Sequence, residues 1–208
     1  MKLIDQKVKE FVTVLGSDAP APGGGSASAL AGAMGISLTK MVTELTIGKK
    51  KYAEFAEEMS AAQQEATRLQ SAFVRAIDED TEAFNKVSAV FTMPKDTEEE
   101  KELRKQTMQR ALEGATQTPF KMMEIAVEAL KVTRELIGKS NTNAASDLGV
   151  AALNLKSALQ GAWLNVLINL SGVKDEAFVT RYKEKGNALL SEGMSLADEI
   201  YTAIEKIV

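Results

Sequence analysis

Leu69-Gln70-Ser71-Ala72-Phe73-Val74-Arg75-Ala76-Ile77-Asp78-Glu79-Asp80-Thr81-Glu82-Ala83-Phe84 is the stretch that decides the fold class. Leu69, Phe73, Ala76, Ile77 and Phe84, continued by Val87 and Phe91, recur at helical spacing and mark one face of a long amphipathic helix. The pattern extends back to Tyr52 and forward to Phe91, where Met93-Pro94 breaks it. Toward the N-terminus, a first helix is predicted from about Leu3 to Leu15, stopped by Gly16. Ser17–Gly25 reads as a Pro/Gly loop, and a second helix runs from Ser26 to Ile47, stopped by Gly48. Its first half, Ala27–Ile36, is small and apolar nearly all round, which predicts burial between close backbones.

Toward the C-terminus, Thr97-Glu98-Glu99-Glu100 has the spacing of a capping box, with acids at the positive end of the helix. That helix runs toward Thr118, where Pro119 marks a kink or a new first turn, and resumes to Ile137. After the Gly138–Asn143 loop, helices are predicted over Ala144–Leu170 and Asp175–Ile207. No alternating strand with hairpin turns is visible. The expectation is all-α: an antiparallel helical bundle of five to seven helices, in a single domain of residues 1–208.

Composition narrows the chemistry. Of 208 residues, 45% are apolar and 26% charged, with only 4 Pro, a balance that suits a globular helical protein. There is no Cys and no His. Thiol nucleophiles, Ser-His-Asp triads and the usual zinc, haem and iron–sulfur ligand sets are therefore excluded, and no metal site is expected. Catalysis must run on carboxylates, Lys, Tyr, Ser or Asn. A net charge of −4 argues against binding nucleic acid or an anionic membrane. The most apolar run, Ala158–Leu170, is interrupted by Gln160, Asn165 and Asn169 and is too short to span a bilayer. The N-terminus lacks a signal-peptide pattern, so a cytoplasmic location is expected.

Asp80 falls in the middle of the apolar stripe, whereas Asp78, Glu79 and Glu82 fall on other faces and Arg75 can pair with Glu79 in solvent. A carboxyl facing the core is costly when charged. Its pKa rises, which suits a general acid or base near neutral pH. A structural Asp hydrogen-bonded to a neighbouring helix would give the same pattern. On the helix after Asn143, Asn154 and Asn165 lie within about 20° of Asp147, and Asn169 about 40° away, at ~100° per residue. An interhelical network accounts for Asn165 and Asn169, while Asn141 and Asp147, beside a loop, read as a site. In Pro22-Gly23-Gly24-Gly25-Ser26, three glycines leave backbone N–H groups open to a ligand, and Ser26 can cap the following helix. No Lys follows in the frame of a P-loop, and a flexible turn is the simpler reading. Gly48-Lys49-Lys50-Lys51-Tyr52 puts three cations at the far end of that helix, either to complement its dipole or to meet a ligand carboxylate.

Taken in order, Ala21-Pro22-Gly23-Gly24-Gly25-Ser26, Gly48-Lys49-Lys50-Lys51-Tyr52, Asp78–Phe84, Met93-Pro94-Lys95, Ser146-Asp147-Leu148 and Asn165–Leu170 resemble the cyclodeaminase/cyclohydrolase family of folate enzymes. The likeness is to the C-terminal domain of formiminotransferase-cyclodeaminase and its stand-alone bacterial relatives, and it covers nearly the whole chain. It implies an all-helical homodimer and a tetrahydrofolate substrate carrying a one-carbon unit. It implies Asp80 as the catalytic acid, and Gly24, Gly25, Ser26, Asn141 and Asp147 as substrate contacts. Lys50 and its neighbours would meet the glutamate tail. No cofactor beyond the tetrahydrofolate substrate is implied. Asn143 has no role by resemblance, and no formiminotransferase domain lies within these residues.

Two reactions fit the resemblance. A cyclohydrolase adds water to the methenyl carbon of 5,10-methenyltetrahydrofolate and opens the ring to 10-formyltetrahydrofolate. A cyclodeaminase closes 5-formiminotetrahydrofolate to the methenyl compound with loss of ammonia. The absence of a partner domain to deliver formiminofolate favours the first. A non-catalytic folate-binding or structural bundle is the competing class.

Overall fold

In the computed structural model, which describes residues 2–208, six α-helices follow one another. They are α1 (Val8–Leu15), α2 (Gly24–Glu44), α3 (Ala56–Val90), α4 (Glu98–Glu135), α5 (Ala145–Leu170) and α6 (Glu176–Glu205). Short 3-10 segments occupy Leu3–Asp5, Lys50–Phe55 and Thr142–Ala144. Among the described residues there is no strand.

The chain winds back and forth. Ser26 meets Ile77 while Ser37 meets Gln70, Arg68 meets Glu128 while Arg104 meets Val90, and Gly24 lies beside Asn165 while Gly35 lies beside Leu155, so α2 and α3, α3 and α4, and α2 and α5 each run antiparallel. α5 touches α2, α4 and α6 and forms the middle of the bundle. Its Leu148, Leu155, Leu159 and Val166 are fully buried. The close approach of α2 is enforced by its small residues. A methyl group at Gly32 would overlap the Phe73 ring, and one at Gly35 would crowd Leu155. Burial is not complete around α2, however: Met34 is 48% exposed, and an outward stripe continues through Met41 and Leu45.

Several boundaries differ from expectation. The long helix α3 begins at Ala56 rather than Tyr52, because 3-10 turns occupy Lys50–Phe55 before it. The first helix begins at Val8 rather than Leu3. Asp78 accepts the Leu3 N–H at 2.7 Å, and the extended backbone of Gln6 and Lys7 separates that anchored turn from α1. Only Phe11 of α1 is buried, so its apolar stripe lies mostly on the surface. The second helix starts at Gly24, with Gly23 at its cap, which removes Ser26 from the capping role. It ends at Glu44, and Gly48, at φ +79°, makes the turn that follows. Of the two readings of Pro119, a kink or a new first turn, the second does not hold: α4 passes through Pro119 without ending. Pro119 has no N–H to give the Ala115 carbonyl four residues earlier. The Asn169 side-chain N–H donates to that carbonyl instead, at 2.9 Å, so the orphan acceptor is satisfied from α5.

The capping box at the start of α4 is present. Thr97 Oγ1 accepts the Glu100 N–H at 3.2 Å, and Glu100 accepts the Thr97 N–H at 3.0 Å. With 35 and 38 residues, α3 and α4 outrun the 21-residue α2. Their far ends form an arm beyond the bundle, and Asp80 sits at its base, where α2 begins. Phe84 and Phe91, expected on the core stripe, are 42% and 65% exposed for this reason.

Candidate active site

The start of α2, the middle of α3 and the end of α5 enclose a cavity of about 310 Å3, a volume within the range of small-molecule sites. Asp80 and Thr81 from α3, Gly23–Gly25 from α2, and Asn165 and Asn169 from α5 line it. Phe84, Val87 and Ile168 give it an apolar side. The expected glycines thus form one wall, and Asn165 and Asn169 form part of another.

Asp80 is half-buried. Burial raises its pKa above the ordinary aspartate value, and hydrogen bonds from the Ser26 hydroxyl and backbone N–H partly offset the rise. Ser26 is itself fully buried. Its hydroxyl lies 2.9 Å from the Ile77 carbonyl, 3.2 Å from Asp80 Oδ2 and 3.3 Å from the Thr81 hydroxyl. It therefore fixes the carboxyl of Asp80 rather than facing the cavity. Gly25 has no side chain because none would fit: a methyl group there would overlap the Asp80 carboxylate. The first turn of α2, with unpaired backbone N–H groups and positive dipole end, faces this carboxyl.

Asn165 and Asn169 each spend one side-chain N–H on a carbonyl, of Gly161 and Ala115 respectively. Their side-chain oxygens make no protein hydrogen bond among the described residues. These amides are therefore both structural and available to a ligand. Thr81 escaped the sequence reading, since a lone hydroxyl next to an acid carries no periodic signal. Arg75 and Glu79 form no ion pair among the described residues, contrary to expectation.

The other expected residues lie elsewhere. Lys50, Asn141 and Asp147 gather at the opposite end of α2, about 30 Å from Gly24 at ~1.5 Å per residue. Asn141 is only 7% exposed. Its side-chain N–H donates to the Leu45 carbonyl at 3.2 Å, and its oxygen accepts the Asn143 N–H at 3.2 Å. The amide ties the end of α2 to the start of α5 and has little left to offer a ligand. Nearby, the Tyr52 phenol lies 3.4 Å from the Thr142 hydroxyl and accepts the Thr142 N–H at 3.1 Å. These bonds, led by the hydroxyl, lower its pKa to about 8. Lys49, Lys50 and Lys51 are exposed and in no ion pair among the described residues. Within one chain, Lys50, Asn141 and Asp147 do not line the cavity that holds Asp80.

Among the described residues no group of three or more acidic side chains is placed to hold a metal ion. None of the helices described is long and apolar enough to cross a membrane.

Residues 7–188 match the family described as formiminotransferase-cyclodeaminase. A methenyltetrahydrofolate cyclohydrolase from Methylorubrum extorquens is 36% identical over 204 residues, covering 98% of both chains. The formimidoyltransferase-cyclodeaminase of Rattus norvegicus is 30% identical over 98% of this chain, which spans only 38% of that protein's length. A solved formiminotetrahydrofolate cyclodeaminase from Thermotoga maritima superposes with a TM-score of 0.82 at 27% identity, covering 99% of this chain and 97% of that one.

Proposed function

We propose that this chain, which belongs to the formiminotransferase-cyclodeaminase family, is a methenyltetrahydrofolate cyclohydrolase with Asp80 as its acid/base. The observation that carries the reading is a half-buried carboxyl of raised pKa, held by Ser26 on the wall of a cavity of about 310 Å3. The full-length similarity to a cyclohydrolase supports it.

The reaction adds water to the methenyl carbon between N5 and N10. Asp80 as carboxylate takes a proton from the attacking water. The tetrahedral carbon then carries a hydroxyl group. When the carbon–N5 bond breaks, Asp80 returns its proton to N5. The hydroxyl proton leaves to solvent as the formyl carbonyl forms on N10, so one water is consumed and one proton released. A carboxyl with a raised pKa makes both transfers easier than an ordinary aspartate would. Asn165, Asn169 and the backbone at Gly24 and Gly25 orient the pterin. The step needs no cofactor beyond the substrate.

The cyclodeaminase reaction is the second reading, favoured by the similarity to the Thermotoga maritima protein. There the formimino group enters as its cation. Asp80 would take the N10 proton as N10 attacks the carbon and return it to the amino group on the tetrahedral carbon, and that nitrogen leaves as ammonia to give the methenyl cation. We take residues 1–208 as one catalytic domain, acting in the cytoplasm as a homodimer, with Lys50 and Asp147 contacting substrate.

The decisive assay follows the absorbance of 5,10-methenyltetrahydrofolate near neutral pH against its spontaneous hydrolysis. Accelerated loss is expected. Appearance of that absorbance from 5-formiminotetrahydrofolate, with ammonia, would establish the second reading. A folded protein silent in both assays would overturn both.

A further inference from the structure

We propose that the groove between α4 and α6 is a second binding site, for a small oligoanion carrying phosphate or carboxylate groups. The site is separate from the Asp80 cavity and does not depend on the cyclohydrolase reading. Three cations meet there. Lys121 of α4 and Arg181 and Lys185 of α6 line a cavity of about 340 Å3, together with the rings of Phe120 and Tyr182. That volume suits a small molecule. Glu124 is the one acidic residue in the lining, so the cavity keeps a net positive charge in a chain of net charge −4. It shares no lining residue with the Asp80 cavity.

The rest of the α4–α6 seam is neutralised across the two helices. Lys131 pairs with Glu192 at 2.6 Å, and Arg134 with Glu199 at 3.6 Å. Phe120 meets Tyr182 edge to face, with 4.8 Å between ring centres. These contacts advance together along both helices, so α4 and α6 run parallel. In that register Lys121, one residue beyond Phe120, faces the turn of α6 from Arg181 to Lys185. An acid on that turn would continue the ladder of ion pairs. Arg181 and Lys185 stand there instead, and neither they nor Lys121 form an ion pair among the described residues. Like charges set across a seam repel. A bound anion removes that repulsion, and departures from a local rule concentrate at functional sites.

Arg181 is also held in advance of any ligand. Its guanidinium lies 5.4 Å from the Phe178 ring centre and 5.3 Å from that of Tyr182, and those two rings stack with centres 4.3 Å apart. A stacked guanidinium keeps its charge and its fork of donors, and it loses less freedom when it binds. Lys185 follows one turn later, about 6 Å along α6. Lys121 closes the groove from α4. Cations spaced along and across a groove in this way suit an anion with two or three charged groups, such as an oligophosphate chain or a tricarboxylate.

Isothermal titration calorimetry at low ionic strength, with tripolyphosphate and citrate as probes, tests the site without any turnover. One equivalent of at least one probe should bind per chain, and the tighter of the two identifies the phosphate or the carboxylate source. In Lys121→Ala/Lys185→Ala, Kd should rise at least about tenfold, the scale of one lost charge-assisted bond. Both side chains are exposed, so the fold should hold. Lys49→Ala/Lys51→Ala controls for general attraction to lysines and should bind as the wild type does. Lys185→Glu supplies the missing acid opposite Lys121. It should melt no lower than the wild type and lose binding. The proposal is overturned if neither probe binds, or if Lys121→Ala/Lys185→Ala binds unchanged. It is equally overturned if Lys49→Ala/Lys51→Ala shares the loss, or if Lys185→Glu melts lower or still binds.

Discussion

The carboxylate of Asp80 occupies the space that a side chain on Gly25 would need. The two residues are far apart in sequence, yet the first turn of α2 is built around this one acid. Gly25→Ala must push Asp80 off the Ser26 hydroxyl or tilt α2 away from α3. We expect a folded protein destabilised by about 1–3 kcal/mol, as for other overpacked sites. The drop in kcat should be out of proportion to the melting shift. A variant with wild-type kcat would show that the position of this carboxyl does not matter to catalysis.

Asp80→Asn separates chemistry from stability. Turnover should fall about 100- to 10,000-fold, the scale of general acid–base catalysis. Stability should not fall with it. Burial raises the pKa of Asp80 in the folded state, so the folded protein binds this proton more tightly than the unfolded chain does. Charging the group therefore costs stability as pH rises above the ordinary aspartate value of ~3.9. Below that value the acid is neutral in both states and the cost vanishes. Thermal melts from pH 3 to 8 should show the wild type losing ground to Asp80→Asn with rising pH. A wild type that gains instead would mean the Ser26 bonds outweigh burial.

Asn169 and Pro119 form a coupled pair. Asn169→Ala leaves the Ala115 carbonyl without a partner, which should cost about 1–3 kcal/mol. In a Pro119→Ala background, the new N–H at position 119 can donate to that carbonyl within α4, and the same Asn169→Ala change should cost less. A double-mutant cycle by urea unfolding reads the difference, which we expect near ~1 kcal/mol. Strict additivity would contradict the pairing.

Tyr52 should titrate visibly. Its phenol pKa is lowered to about 8 by the Thr142 hydroxyl and N–H. A spectrophotometric titration should show a phenolate transition near that pH, absent in Tyr52→Phe. Because the folded value is depressed, the stabilisation it reflects is complete above the unfolded value of ~10 and is lost as pH falls through about 8. The wild type should therefore gain stability over Tyr52→Phe between pH 8 and 10. A first tyrosine transition at pH 10 or above would refute the assignment.

Much of this protein follows from its sequence alone. Helical spacing from Leu69 to Phe84 fixed the fold class, because side-chain periodicity is a local property of the backbone. The same spacing exposed Asp80, since one charge on an apolar stripe is a conflict visible without coordinates. The capping box at Thr97 and Glu100 was legible for the same reason: both partners lie within one turn. The tertiary structure decided whatever depended on a partner distant in sequence. Ser26 has the composition of a cap, but its hydroxyl is drawn to Ile77 and Asp80, and nothing local announces that. Pro119 has the composition of a break, but a side chain from α5 supplies the bond it lacks. The separation of Lys50, Asn141 and Asp147 from Asp80 is likewise set by the length of α2 and its antiparallel packing on α5. Local pattern identifies which residues are unusual; only packing determines which of them share a site.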